Sequence, residues 1–168
     1  MKIFFLIFSL FFYAAGISQE DQRKQLQFLI ADSRNYFENS IDTVVYISGK
    51  DTTYTSKVCL DGKFSGSISR KAEGLKWANY SIFLLEGTSL KDARNAAFSW
   101  RDIVKSVAPS YLEDLNEGKR KNIHNQPEYE FLFSKTEADK RSWISVLYAK
   151  EKKGYYLYLS IGWQDMAN

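Results

Sequence analysis

The pattern that most constrains the fold lies near the C-terminus. Tyr155, Leu157, Leu159, Ile161 and Trp163 alternate with Tyr156, Tyr158, Ser160 and Gly162. A strict period of two places one set on a single face of a β-strand. The Lys152-Lys153-Gly154 turn precedes this run, and Ile144, Val146 and Tyr148 alternate ahead of the turn. Together they predict an antiparallel hairpin. Tyr129, Phe131 and Phe133 repeat the pattern one segment earlier. Three closing strands with one apolar face require a cover, which amphipathic helices can supply.

Two helices are predicted. From Gln19 to about Asn39, Leu26, Leu29, Ile30, Tyr36 and Phe37 fall at steps of three and four, with Ser33 in register. Ser89 offers an N-cap with Asp92 three residues on, and Leu90, Ala93, Ala97, Trp100, Val104 and Val107 share one face until Pro109. Between the helices, Thr43 to Ser48, Thr53 to Leu60, Lys63 to Arg70 and Ala78 to Glu86 read as antiparallel strands, with an Asp61-Gly62 hairpin turn. Tyr111 to Asn116 reads as a short turn and Glu117 to Pro127 as the one long irregular stretch. The expectation is an α+β domain over residues 19–168, a twisted antiparallel sheet of about six to seven strands with two helices packed on one face. The order of elements allows a diverged duplication of a helix-plus-meander unit, although no residue-level repeat accompanies it.

The first residues are built as a secretory signal peptide: Lys2, an apolar stretch from Ile3 to Tyr13, and small residues at Gly16 and Ser18. Residues 1–18 are therefore expected to be removed by cleavage after Ser18. The apolar run from Ile3 to Ile17 is shorter than the roughly 20 residues a membrane anchor needs, so no transmembrane span is expected after processing. Cys59 is the only cysteine. A secreted domain without an internal disulfide fits a bacterial periplasm or a bacterial secreted protein better than a eukaryotic secretory route.

Catalytic and metal constellations are missing from the sequence. One histidine and one cysteine cannot supply the usual zinc or copper ligands. No G-x-S-x-G elbow, calcium loop or phosphate loop occurs. A net charge of +3 is too small for a general nucleic-acid binder. No cofactor, no metal and no nucleic acid are expected. His124 has the ordinary pKa for proton transfer near neutrality, and it falls in the irregular stretch beside Lys119, Arg120 and Lys121. Glu128 and Glu130 share one strand face and read as a solvated face.

Two surfaces stand out as candidates for recognition. Arg94, Phe98 and Arg101, with Lys91 and Lys105, form a basic stripe around an aromatic on the second helix, suited to an anionic surface. Tyr156 and Tyr158, with Trp143 across the hairpin, occupy the face opposite the apolar set. They could stack on a glycan or grip a partner protein.

The string of a signal peptide, amphipathic helix, meander, second helix ending near a proline and Tyr-rich terminal strand resembles small secreted bacterial proteins of uncharacterised function. That resemblance implies an α+β fold and no activity. The functional expectation is an extracytoplasmic, non-catalytic binding or interaction module for an unknown protein or glycan partner. Alternatives are an inhibitor or immunity-type partner of an extracytoplasmic enzyme, or a small hydrolase using His124.

Overall fold

The structure is a computed structural model and describes residues 18–60, 64–71, 76–121 and 125–166. The chain runs α1 (Gln19–Ser33), β1 (Ile41–Ser48), β2 (Asp51–Ser56), β3 (Ser67–Lys71), β4 (Trp77–Thr88), α2 (Leu90–Val107), β5 (Leu112–Lys121), β6 (Pro127–Glu137), β7 (Lys140–Glu151) and β8 (Gly154–Asp165). The strands form one antiparallel sheet in the order β1-β2-β3-β4-β8-β7-β6-β5. Two four-stranded meanders, each preceded by a helix, thus meet through their last strands, β4 and β8. Eight strands among the described residues replace the expected six to seven.

The additional strand is β5, which takes over Leu112 to Asn116 of the expected short turn and the first five residues, Glu117 to Lys121, of the stretch expected to be irregular. Its sequence carries no apolar alternation because it is an edge: it pairs only with β6. Gly118 adopts a left-handed φ of 74°, and the register with β6 slips between Glu117 and Arg120. This bulge and the surrounding charges keep the edge from pairing further.

The first helix also ends earlier than its apolar spacing predicts. Ser18 is the N-cap and accepts from the Asp21 backbone N–H, but the helix stops at Ser33. Asp32 takes over there. One carboxylate oxygen accepts from the Asn39 amide side chain at 2.7 Å, and the other accepts from the Ser40 hydroxyl at 2.6 Å. Tyr36 and Phe37 then enter left-handed backbone conformations. The turn still buries the Phe37 ring, so the stripe persists without a helix beneath it. Expected strand limits shift as well: β2 ends at Ser56 and β3 begins at Ser67, while the Asp61-Gly62 turn lies outside the described residues.

Both helices pack on the strands β4 and β8 and on each other, and α2 also packs on β7. The core forms between them and one sheet face. Leu26 and Leu29 from α1 and Ala93, Ala97, Trp100, Ile103 and Val104 from α2 meet Tyr80, Ile82, Ile144, Val146, Leu157, Leu159 and Ile161. The strict alternation in β8 therefore has a physical cause: one of its faces is wholly covered. No helix among the described residues is long and apolar enough to cross a membrane.

Candidate functional site

Because both helices lie on one side, the opposite face of the sheet carries side chains with no helix over them. Register fixes which residues share it. Ser81 pairs with Ser160, Ser160 with Ser145, and on the other flank Ser67 pairs with Ser81 and Thr55 with Ser67. A row of hydroxyls therefore crosses β2, β3, β4, β8 and β7. With roughly 4.8 Å between strands it extends over about 19 Å. The Ser67 and Ser81 hydroxyls lie 2.9 Å apart, and in the neighbouring row Thr53 and Ser69 lie 3.1 Å apart.

Aromatic side chains border the hydroxyl row. Trp143 pairs with Gly162, and its indole lies over that glycine so closely that a Cβ there would sit inside the ring. The Gly162 position is thus a seat for the indole. On the other side, Phe83 meets Tyr158 edge-on at 5.3 Å and Tyr156 at 6.0 Å between ring centroids. Leu132, Leu147, Arg141 and Gln164 complete a shallow depression of about 450 Å³ over Ser145 and Ser160. Those two serines are buried although no helix covers them, because the flanking rings and Leu147 rise above them.

Glu130 closes one end of the depression. Expected on a solvated face, it is instead only 7% exposed, and its carboxylate accepts from Arg120 at 2.8 Å and from the Ser145 hydroxyl at 2.5 Å. A charged acceptor this enclosed requires such partners, and they fix the Ser145 hydroxyl in place.

The residues singled out from sequence divide between two sides of the molecule. Trp143, Tyr156, Tyr158 and Arg120 border the open face. Arg94, Phe98 and Arg101 belong to α2 on the other side. Arg120, engaged with Glu130 on the open face, lies on the other side of the sheet from the α2 stripe. That stripe is itself partly neutralised. Arg101 donates to Glu113, and Lys105 approaches the same carboxylate at 2.7 Å. Hydrogen bonding from Arg101, the largest cause, holds the Glu113 carboxyl below its usual range. Phe98 is only partly exposed, edge-on to Phe131 at 5.1 Å. Lys121 is exposed at the end of β5. His124 and the Lys119 side chain lie outside what the structure describes.

Sequence reasoning missed Phe83 and the serines. Alternation was the available signal: Ala78, Tyr80, Ile82 and Leu84 are buried in β4, which places Ser81 and Phe83 on the other face. Among the described residues, no group of His, Cys, Asp and Glu side chains could hold a metal ion. Comparison with known proteins finds no family model, curated protein or solved structure that matches this chain.

Proposed function

We propose that the protein is an extracytoplasmic, non-catalytic binding module that holds a glycan chain across the open face of its sheet. The observation that carries this reading is the hydroxyl row bordered by Trp143 on one side and Phe83, Tyr156 and Tyr158 on the other. Sugars present apolar C–H faces and rims of hydroxyls. Aromatic rings suit the first, and the half-buried hydroxyls of Thr55, Ser67 and Ser81, which both donate and accept, suit the second. The depression is shallow and extended, which favours a chain over a small molecule. Within it Arg120 and Glu130 offset each other and Arg141 adds a single further charge, which favours a ligand of little or no charge.

Affinity electrophoresis through gels containing soluble neutral polysaccharides tests the proposal. Retardation by at least one glycan is expected, and the double substitution Tyr156→Ala with Tyr158→Ala should weaken it by about tenfold or more. Leu159→Ala, on the covered face, should leave affinity unchanged below its unfolding temperature. Absence of retardation by every glycan, or equal retardation of the double variant, overturns the reading.

A protein partner is the second reading, and β1 favours it. Val44, Val45, Tyr46 and Ile47 are each at least 50% exposed. Being consecutive, they expose apolar groups on both faces of an edge strand, a template for strand addition. Val45→Lys with Ile47→Lys would abolish binding of that kind and leave glycan retardation intact.

A further inference from the structure

On α2, Arg94 and Arg101 stand seven residues apart, close to two helical turns, and so project from nearly the same side. The edge strand offers a carboxylate to each region: Glu113, and four residues further along, Glu117. Register places Glu113 beside Phe133, and Glu117 beside Tyr129 and then Tyr148, all on the face that α2 crosses. The two constellations are alike in composition and differ in one respect. Arg101 and Glu113 are bonded, whereas Arg94 and Glu117 have no ion-pair partner among the described residues.

A cleft of about 310 Å³ lies where the second pair would otherwise close, and both Arg94 and Glu117 line it. Its walls are aromatic. The Tyr129 and Tyr148 rings stack at 5.0 Å with 10° between planes, and Phe98 meets Phe131 at its rim. Both charges are felt at the Tyr148 phenol, whose pKa is raised chiefly by burial, with Arg94 opposing and Glu117 reinforcing the shift. The volume lies at the small end of the roughly 300–1,000 Å³ typical of ligand pockets, which suits one compact molecule.

We propose that this cleft binds a free α-amino acid with an aromatic or large aliphatic side chain, its carboxylate on Arg94, its ammonium on Glu117 and its side chain among the tyrosine and phenylalanine rings. An apolar anion would engage Arg94 and be repelled by Glu117; an apolar amine would meet the reverse. Glu130 also lines the cleft but is held by Arg120 and Ser145, so only a ligand carrying both charges on an apolar body matches Arg94, Glu117 and the rings together. The site lies on the helix side of the sheet and is independent of the glycan reading.

Calorimetric titration with L-phenylalanine, N-acetylphenylalanine and phenylalanine amide tests it. The free amino acid should bind saturably, and each blocked form should bind about tenfold more weakly or worse, the scale of one lost charge contact. Arg94→Gln should erase the discrimination against the amide, and Glu117→Gln that against the N-acetyl form. Both side chains are exposed, so folding survives, as circular dichroism will verify. No saturable heat up to about 10 mM, or equal binding of all three probes, overturns the proposal.

Discussion

The two halves of the molecule share one plan and carry very different loads. Each begins with a serine-capped helix and continues into a four-stranded meander. The caps match closely: Ser18 and Ser89 each accept from the backbone N–H three residues on at 3.1 Å, and each donates to that residue's carboxylate, Asp21 or Asp92, at 2.7 Å. Beyond the caps the halves diverge. In α1–β4, β2 and β3 span 6 and 5 residues, and neither β1 nor β2 buries a residue. In α2–β8, β6, β7 and β8 span 11, 12 and 12 residues and supply much of the core. Among the sheet contacts of α1, those to β4 and β8 dominate, so the first helix rests partly on the second half. A shared topology therefore does not imply two equal contributions; the C-terminal half supplies most of the core, and the first helix packs partly against it.

The strand at the junction gives the sharpest test. Leu159 is fully buried in β8, between both helices and the β4–β8 seam. Leu159→Ala should cost about 2–5 kcal/mol, combining lost burial with a residual cavity. Chemical denaturation measures it. A loss below about 0.5 kcal/mol, the range of surface positions, would mean that the seam is not where the halves depend on each other.

Hydrogen exchange probes the same asymmetry without mutation. Amides bonded between β7 and β8 should exchange only through global unfolding, while those of β1 and β2 should exchange through local opening several kcal/mol easier. Equal protection of the two meanders would break the comparison and make the halves energetic equals.

How legible this architecture is in the sequence depends on what each element needs. β8 is buried on one face along nearly its whole length, so its alternation is obligatory and visible. β5 needs only one neighbour. Its helix-facing carboxylates Glu113 and Glu117 are satisfied by an ion pair and by an open cleft, so burial leaves no periodic trace. The end of α1 is hidden for another reason. Tyr36 and Phe37 keep the helical spacing although the backbone has turned left-handed, because the Asp32 clasp returns Phe37 to the core. The hydroxyl row is invisible for a third: each serine stands alone in its strand, and only register aligns them. Trp143, Tyr156 and Tyr158 were legible because they occupy the off-phase positions of the clearest strands. Lys119–Lys121 could not be placed, since their bulged edge looks like a loop.

A third test compares the two caps. Ser89→Ala should cost about 1 kcal/mol of global stability, a typical N-cap loss. Ser18→Ala should cost less in global unfolding, because α1 can fray while the C-terminal half persists. A chain beginning at Gln19 would lose this cap outright and place a charged α-amino group on the positive end of the helix dipole. Thermal melts of chains beginning at Ile17 and at Gln19 should therefore differ in the same direction, the longer being the more stable. If Ser18→Ala costs as much as Ser89→Ala, α1 folds with the C-terminal half and the asymmetry is weaker than the packing implies.

The smallest expected effect ties the two halves at their edge and is lost only in alkali. Tyr36, in the turn after α1, donates its phenol to Asp165 at the end of β8 at 2.8 Å. Burial, with the hydrogen bond to Asp165 and the charges of Asp165 and Asp139, raises its pKa to about 12, against about 10 for an unfolded tyrosine. The fold thus favours the neutral phenol. The stability this contributes is fully present below pH 10 and is lost as pH rises from about 10 to about 12. Other tyrosines and lysines titrate in that range, so the measurement is a difference between wild type and Tyr36→Phe. The variant, which has no phenol to ionise, should be the less stable of the two at neutral pH, and the gap should close or reverse toward pH 12. A gap independent of pH would mean that the phenol ionises as easily in the folded as in the unfolded chain, and that neither its burial nor its bond to Asp165 holds the proton in place.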